Sequence, residues 1–324
     1  VRLFIGRRAA EGSAGVRWKN LGESVRCEEV GGLNLVAEED VVIEEEVVLA
    51  ETRNMVQLRN DRVAVEGGQI GRVVLTVKDL ARVGDFYQDV IGLTRLSGDG
   101  ETLVLGAGTR PLVELRRDPA ARFRPNEAGL FHTAFLLPDR QALGSWLRMI
   151  AETGQRLDGA SDHLVSEAVY LRDPEGNGIE VYADRPRDSW TRHGTEVEMD
   201  TVRLDMQGVM AAGDRPWRGA PEDSVIGHVH LQVGDVGQAE AFYMNTLHMD
   251  RSAHVFGASF FASGGYHHHL AGNIWNSRGA GRRSADATGL AEVVLQADAA
   301  GMRALGDTEF SDPWGTRFRI EAKG

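Results

Sequence analysis

The sequence predicts an α+β fold built from four strand–helix–strand–strand–strand modules, and three observations predict it. First, "IGRVVLTVKDLARVGDFYQDVIGL" from Ile70 superposes on "IGHVHLQVGDVGQAEAFYMNTLHM" from Ile226, matching Gly71 with Gly227, Asp79 with Asp235, and Phe86-Tyr87 with Phe242-Tyr243. Second, "GLFHTAFLLPDRQALGSWLRMIAETG" from Gly129 has the same layout, and "GLAEVVLQADAAGMRALG" from Gly289 is a shortened copy of it. Third, each copy passes from period-two apolar alternation, through an Asp, into an amphipathic stretch and then into short runs broken by glycine.

The leader, residues 1–68, repeats nothing. Its "AEEDVVIEEEVVLAE" mixes acidic and apolar residues without clear caps, so it is expected to be a poorly ordered extension outside the fold. Met55 would be a natural start for the repeated part. The first segment, 69–185, holds modules 1 and 2. In module 1 the opening strand reaches Asp79, whose side chain can cap the following helix, and "ETLVLGAG" and "RPLVELRR" supply further strands. In module 2 Asp139 takes the capping place, and "AVYLRDPEGNGIEVYAD" reads as two strands around a tight turn, with Gly176 and Gly178 permitting positive φ. Phe86, Tyr87, Phe242 and Tyr243 fall on helices and are expected to pack in the core. Residues 186–224 are rich in Pro, Gly and charge and form a linker long enough to be a structured crossover. The second segment, 225–324, holds module 3, with "ASFFASGG" and "YHHHLAGN" after its helix, and the short module 4, which ends in "SDPWGTRFRIEA".

The chain has 324 residues, of which 42% are hydrophobic and 26% charged, enough for two well-filled domains. A net charge of −12 disfavours nucleic acid and anionic membrane as partners, because both would be repelled. The single cysteine, Cys27, permits no intramolecular disulfide, which fits a reducing cytoplasm. No apolar run is long enough to span a bilayer, and no secretory apolar core opens the chain. These features predict a soluble cytoplasmic protein with a small-molecule partner.

One position in the opening strand carries Arg72, His132, His228 and Glu292 in the four modules, and the closing strands carry Glu114, Glu180, the run His267-His268-His269, and Arg319. Arginine stays protonated and binds no metal, so modules 1 and 4 are expected to hold none. That leaves His132, His228 and Glu180. If modules 2 and 3 lie side by side, two imidazoles and one carboxylate converge, a set that leaves other positions on a metal open. The histidine run is more conspicuous, yet a strand would turn His268 to one face and its neighbours to the other, so one metal could not take all three. His230, two residues beyond His228, shares its face and is placed to support it. Glu114 is expected to be salt-bridged, and His193, His248 and His254 have no pattern around them.

Taken together, "GLFHTAFLLPDR", "SEAVYLRDPEGNGIEVYADRPRDSW", "IGHVHLQVGD" and "GGYHHHLAGNIW" resemble the vicinal-oxygen-chelate superfamily, which covers glyoxalases, bleomycin-resistance proteins and dioxygenases, and within it the type I extradiol dioxygenases similar to catechol 2,3-dioxygenase. The resemblance runs from about Gly68 to the C-terminus. It implies two domains with U-shaped mixed sheets and a metal in the cleft. It further implies Fe(II), with Mn(II) the alternative, on His132, His228 and Glu180, a catalytic acid–base His268, and Tyr170 and His163 against the substrate oxygen. The implied reaction is ring cleavage of a catechol by O2 to a 2-hydroxymuconate-semialdehyde type of product, in aromatic hydrocarbon catabolism. Exposed sheet edges and the truncated module 4 separately leave room for self-association into a homo-oligomer. Common members carry the iron in their last pair of modules, whereas this chain places the candidate ligands in modules 2 and 3, and the His163 match is offset by a couple of positions. The rivals are a glyoxalase-type isomerase or transferase, which would call for four protein ligands, and a non-catalytic binder of aromatics or metals.

Overall fold

The computed structural model describes residues 17–20, 25–28 and 68–323, and the remainder of the 1–68 leader lies outside the described residues. Within the leader, β1 (Arg17–Asn20) and β2 (Val25–Glu28) pair antiparallel.

Module 1 comprises β3 (Gln69–Val77), α1 (Leu80–Phe86) running into a π-helical turn Tyr87–Ile91, β4 (Thr94–Gly98), β5 (Thr102–Ala107) and β6 (Arg110–Arg117). Module 2 comprises β7 (Gly129–Leu136), α2 (Arg140–Thr153), β8 (Gly159–Asp162), β9 (Ser166–Arg172) and β10 (Gly178–Asp184). The crossover holds β11 (Arg192–His193), β12 (Glu196–Val197), β13 (Val202–Arg203) and α3 (Met206–Ala212). Module 3 comprises β14 (Val225–Gln232), α4 (Val236–Asn245), β15 (Asp250–Val255), β16 (Ala258–Ala262) and β17 (Leu270–Asn273). Module 4 has β18 (Gly289–Ala297), α5 (Ala299–Leu305), β19 (Glu309–Ser311) and β20 (Arg317–Ala322), one strand fewer than the others. The chain is thus α+β. Each repeat helix begins in the same way: Asp79, Asp139, Asp235 and Asp298 accept the backbone N–H three residues on, at 3.0, 2.7, 2.8 and 2.7 Å.

Two mixed sheets result. A nine-stranded sheet runs β13-β8-β9-β10-β7-β14-β17-β16-β15 and joins modules 2 and 3 through the antiparallel pair β7 and β14. A seven-stranded sheet runs β19-β20-β18-β3-β6-β5-β4 and joins modules 1 and 4 through β3 and β18. In every module the closing strand lies parallel to the opening one, at equivalent register. Ala134 faces Glu180, Val74 faces Glu114, Val294 faces Arg319 and His230 faces Ala271. The main core packs the helices on the sheets, with Tyr87, Trp146 and Tyr243 buried in it. Phe86 and Phe242 pack against it from partly buried positions. The crossover contributes an edge strand, since β13 pairs with β8, and α3 docks on α2 so closely that a Cβ at Gly144 would run into the Val209 carbonyl.

Two local expectations are corrected. Gly176 has φ +90, as its turn requires, but Gly178 has no positive φ: it is a strand residue whose missing side chain leaves room for the Phe131 carbonyl. The histidine run is not on the closing strand. Gly264 and Gly265, with φ of 61 and 66, turn the chain sharply after β16, and His267 to His269 lie in the bend that follows, so β17 begins only at Leu270. The position equivalent to Glu180 in module 3 is therefore Ala271.

Candidate metal centre

Neighbouring strands β10, β7 and β14 bring the three candidate ligands to one face of the nine-stranded sheet. His132 Nε2 lies 3.0 Å from Glu180 Oε2, His228 Nε2 lies 3.2 Å from the same oxygen, and the two imidazole nitrogens are 3.3 Å apart. All three side chains are buried. Donors in neighbouring positions on an octahedral ion at about 2.1 Å are separated by about 3.0 Å, so this triangle has the size of one octahedral face. Protonation also suits a cation. Burial opposes ionisation of Glu180, but the flanking imidazoles outweigh it and hold the carboxyl well below the usual carboxylate range. Burial, only partly offset by Glu180, lowers His228 to about 4, so near neutrality its ring is uncharged and can offer a lone pair. The donor set, its spacing and its charge all fit a divalent metal.

Local packing explains why His228 can stand there. Gly227 precedes it, and a Cβ at that position would run into the Tyr182 hydroxyl; the β7–β14 register is irregular between Ile226 and His228. On the other side, the position that would supply a fourth donor by module symmetry is Ala271. It sits in register between His230 and Phe260, both of which line the cavity. Module 3 thus brings one donor where module 2 brings two.

The cluster opens on a cavity of about 600 Å³. Tyr170 is the cross-strand neighbour of Glu180, and its ring centroid is 5.7 Å from that of His132. Burial first, then the Glu180 charge, raises the phenol well above its ordinary value, so it keeps its proton. Its oxygen is 2.6 Å from His163 Nε2, while His163 Nδ1 lies 2.8 Å from the Asp200 carbonyl. That carbonyl accepts, so Nδ1 carries a proton, and with Nε2 unprotonated the ring accepts the Tyr170 O–H. His268 also lines the cavity, its ring centroid 4.0 Å from that of His228. His267 is turned away and fully buried, 3.0 Å from Asp184 Oδ1, and His269 accepts the Ser263 N–H at 3.3 Å. His230 packs edge-on against His132 at 4.9 Å.

The sequence missed the cavity walls. Phe131, Phe260 and Trp275 form an aromatic side, and Met199, Asp200 and Thr201 of the crossover form another. Phe131 and Phe260 were readable as neighbours of functional strand positions, whereas nothing in the crossover signals its placement. In the seven-stranded sheet the equivalent positions form an ion-pair network: Arg72 reaches Glu114 and Glu321 at 3.4 and 3.0 Å, and Arg319 reaches Glu292 at 2.7 Å.

The catechol-2,3-dioxygenase of Bacillus subtilis (strain 168) is 43% identical to this chain over 233 residues, covering 69% of this chain and 81% of the relative. Residues 69–181 match the model of the glyoxalase/bleomycin resistance protein/dioxygenase superfamily. The chain belongs to that superfamily. A solved Bacillus subtilis structure, provisionally described as a dioxygenase, aligns with a TM-score of 0.54 at 15% identity, covering 78% of this chain and 84% of the other, which speaks to the fold alone. Among the described residues no helix is long and apolar enough to cross a membrane.

Proposed function

We propose that the protein is an extradiol ring-cleaving dioxygenase that opens a catechol-type ring with Fe(II) and O2 to a 2-hydroxymuconate-semialdehyde type of product. The observation that carries this reading is a three-donor face, His132, His228 and Glu180, whose symmetric fourth position is Ala271, set beside the acid–base groups His268, Tyr170 and His163. A bound Fe(II) would supply adjacent open positions for a chelating diol and for O2. The 43% identity to a catechol-2,3-dioxygenase supports the same substrate class.

The chain's own residues then have distinct tasks. The aromatic wall of Phe131, Phe260 and Trp275 excludes water and packs against the ring. His268, facing the cavity with an imidazole, takes a proton from a substrate hydroxyl and can return it later. With substrate bound, Tyr170 keeps its proton and turns its O–H from His163 Nε2 toward substrate oxygen, stabilising charge that develops there, while His163 holds the phenol in place beforehand. A glyoxalase-type reaction relying on four protein ligands finds no support at Ala271.

The test is reconstitution with Fe(II), addition of a panel of substituted catechols, and recording of O2 uptake with the visible absorbance of the ring-opened product. Stoichiometric uptake and colour are expected. Tight catechol binding without either would sink the proposal and leave a binding protein.

A further inference from the structure

Behind His268, on the side away from the cavity, lies a chain of hydrogen bonds that the reading above does not use. His267 Nδ1 is 2.7 Å from His268 Nδ1, and His267 Nε2 is 3.0 Å from Asp184 Oδ1. The same carboxylate oxygen accepts the Tyr266 O–H at 3.2 Å, and Tyr266 is in turn 2.8 Å from the Tyr182 hydroxyl. His267 is fully buried, and Tyr266 stacks on it with ring centroids 4.0 Å apart, so the ring has no freedom to turn. Asp184 lies on the same strand face as Glu180, four residues on.

Donor and acceptor roles follow along the chain. A carboxylate only accepts, so His267 carries its proton on Nε2. With that as its single ring proton, His267 has its lone pair on Nδ1, and in the 2.7 Å contact His268 is then the donor, from its own Nδ1. A neutral His268 protonated on Nδ1 keeps its other lone pair on Nε2, the nitrogen of that ring not engaged by His267. We infer that Asp184 and His267 are positioning residues that fix the tautomer of His268, so that Nε2 is the basic atom presented to the cavity.

The inference rests on the ring-cleavage reading for what His268 does. The proton transfer balances simply: the substrate O–H bond breaks, an N–H bond forms at Nε2, and the positive charge left on His268 is offset through His267 by the Asp184 carboxylate. An orienting carboxylate behind an imidazole serves the same end in hydrolytic triads, where replacement by the amide presents the wrong tautomer. Asn at position 184 can turn its N–H2 toward His267 Nε2, which reverses every donor along the chain and leaves the proton on His268 Nε2.

Two readouts test this. In the full-length metal-free protein, nitrogen-15 spectra of the histidines report tautomers without any turnover. The wild type should show His268 protonated on Nδ1, and Asp184→Asn should move the proton to Nε2. In the Fe(II)-loaded enzyme, Asp184→Asn should lower kcat by a factor on the order of 10² to 10⁴ with KM and iron content unchanged. Asp184→Glu, which restores an acceptor, should recover part of kcat. His268 protonated on Nε2 in the wild type overturns the inference, as does Asp184→Asn with full kcat. Should the wild type itself take up no O2, the ring-cleavage reading falls, while the tautomer measurement still decides the relay.

Discussion

Ala271 stands in module 3 at the register position that Glu180 holds in module 2, on the sheet face shared with its partners His230 and Phe260. The register partners of Ala271, His230 and Phe260, line the cavity beside the candidate donors, so a side chain added there would grow toward that candidate donor face rather than into the helix-side core. One methyl group in place of a carboxylate separates a three-donor face from a four-donor one. Ala271→Glu is accordingly expected to retain metal and lose O2 uptake, by filling an open position or by displacing His268. Overpacking should lower stability by about 1–3 kcal/mol. Metal content by emission spectroscopy, an oxygen electrode and a urea titration together check it, and undiminished O2 uptake would count against the open-face reading.

Removing a donor should act the other way. His132→Ala, His228→Ala and Glu180→Ala each break the 3.0–3.3 Å triangle and are expected to abolish iron retention through gel filtration. His268→Ala should instead keep its iron and lose turnover. Iron lost from that variant would mean that His268 belongs to the ligand set.

The division between legible and illegible features follows from what repeats. Module order, the Asp caps and the candidate ligands could be read because one strand–helix pattern recurs with a side chain at fixed register, and Arg72 and Glu292 mark the copies in which charge pairs replace a donor face. The histidine run could not be read locally. Its face depends on two positive-φ glycines, Gly264 and Gly265, which end the strand before it. The walls supplied by Met199 to Thr201 come from a non-repeating crossover, whose position is fixed by tertiary pairing of β13 with β8 and by the docking of α3 on α2. Asp184 carried a usable signal, since alternation along β10 sets it on the face of Glu180.

Tyr170 and His163 should behave as one unit because their side chains share a 2.6 Å hydrogen bond. Tyr170→Phe removes the donor aimed at substrate oxygen and is expected to lower kcat by a factor on the order of 10 to 10². His163→Ala leaves the phenol in place but unoriented and should cost less. The double variant should resemble Tyr170→Phe alone, giving a coupling energy in a double-mutant cycle. Fully additive losses would show that the two residues act separately.

Acid sensitivity should trace in part to His269, which is not one of the three candidate donors. Its Nδ1 accepts the Ser263 N–H at 3.3 Å, which requires a neutral ring, and burial lowers its pKa to about 3. The unfolded chain would protonate the same side chain near 6.5. Between those values the unfolded state binds the extra proton, so the stability of the native state falls as pH drops from about 6.5 toward 3. Above 6.5 both states are neutral at this site and its contribution is flat. The urea midpoint of the wild type should decline across that window, and His269→Asn, which can still accept from Ser263 and does not titrate, should decline less. Parallel curves for the two proteins would remove His269 from the account of acid unfolding.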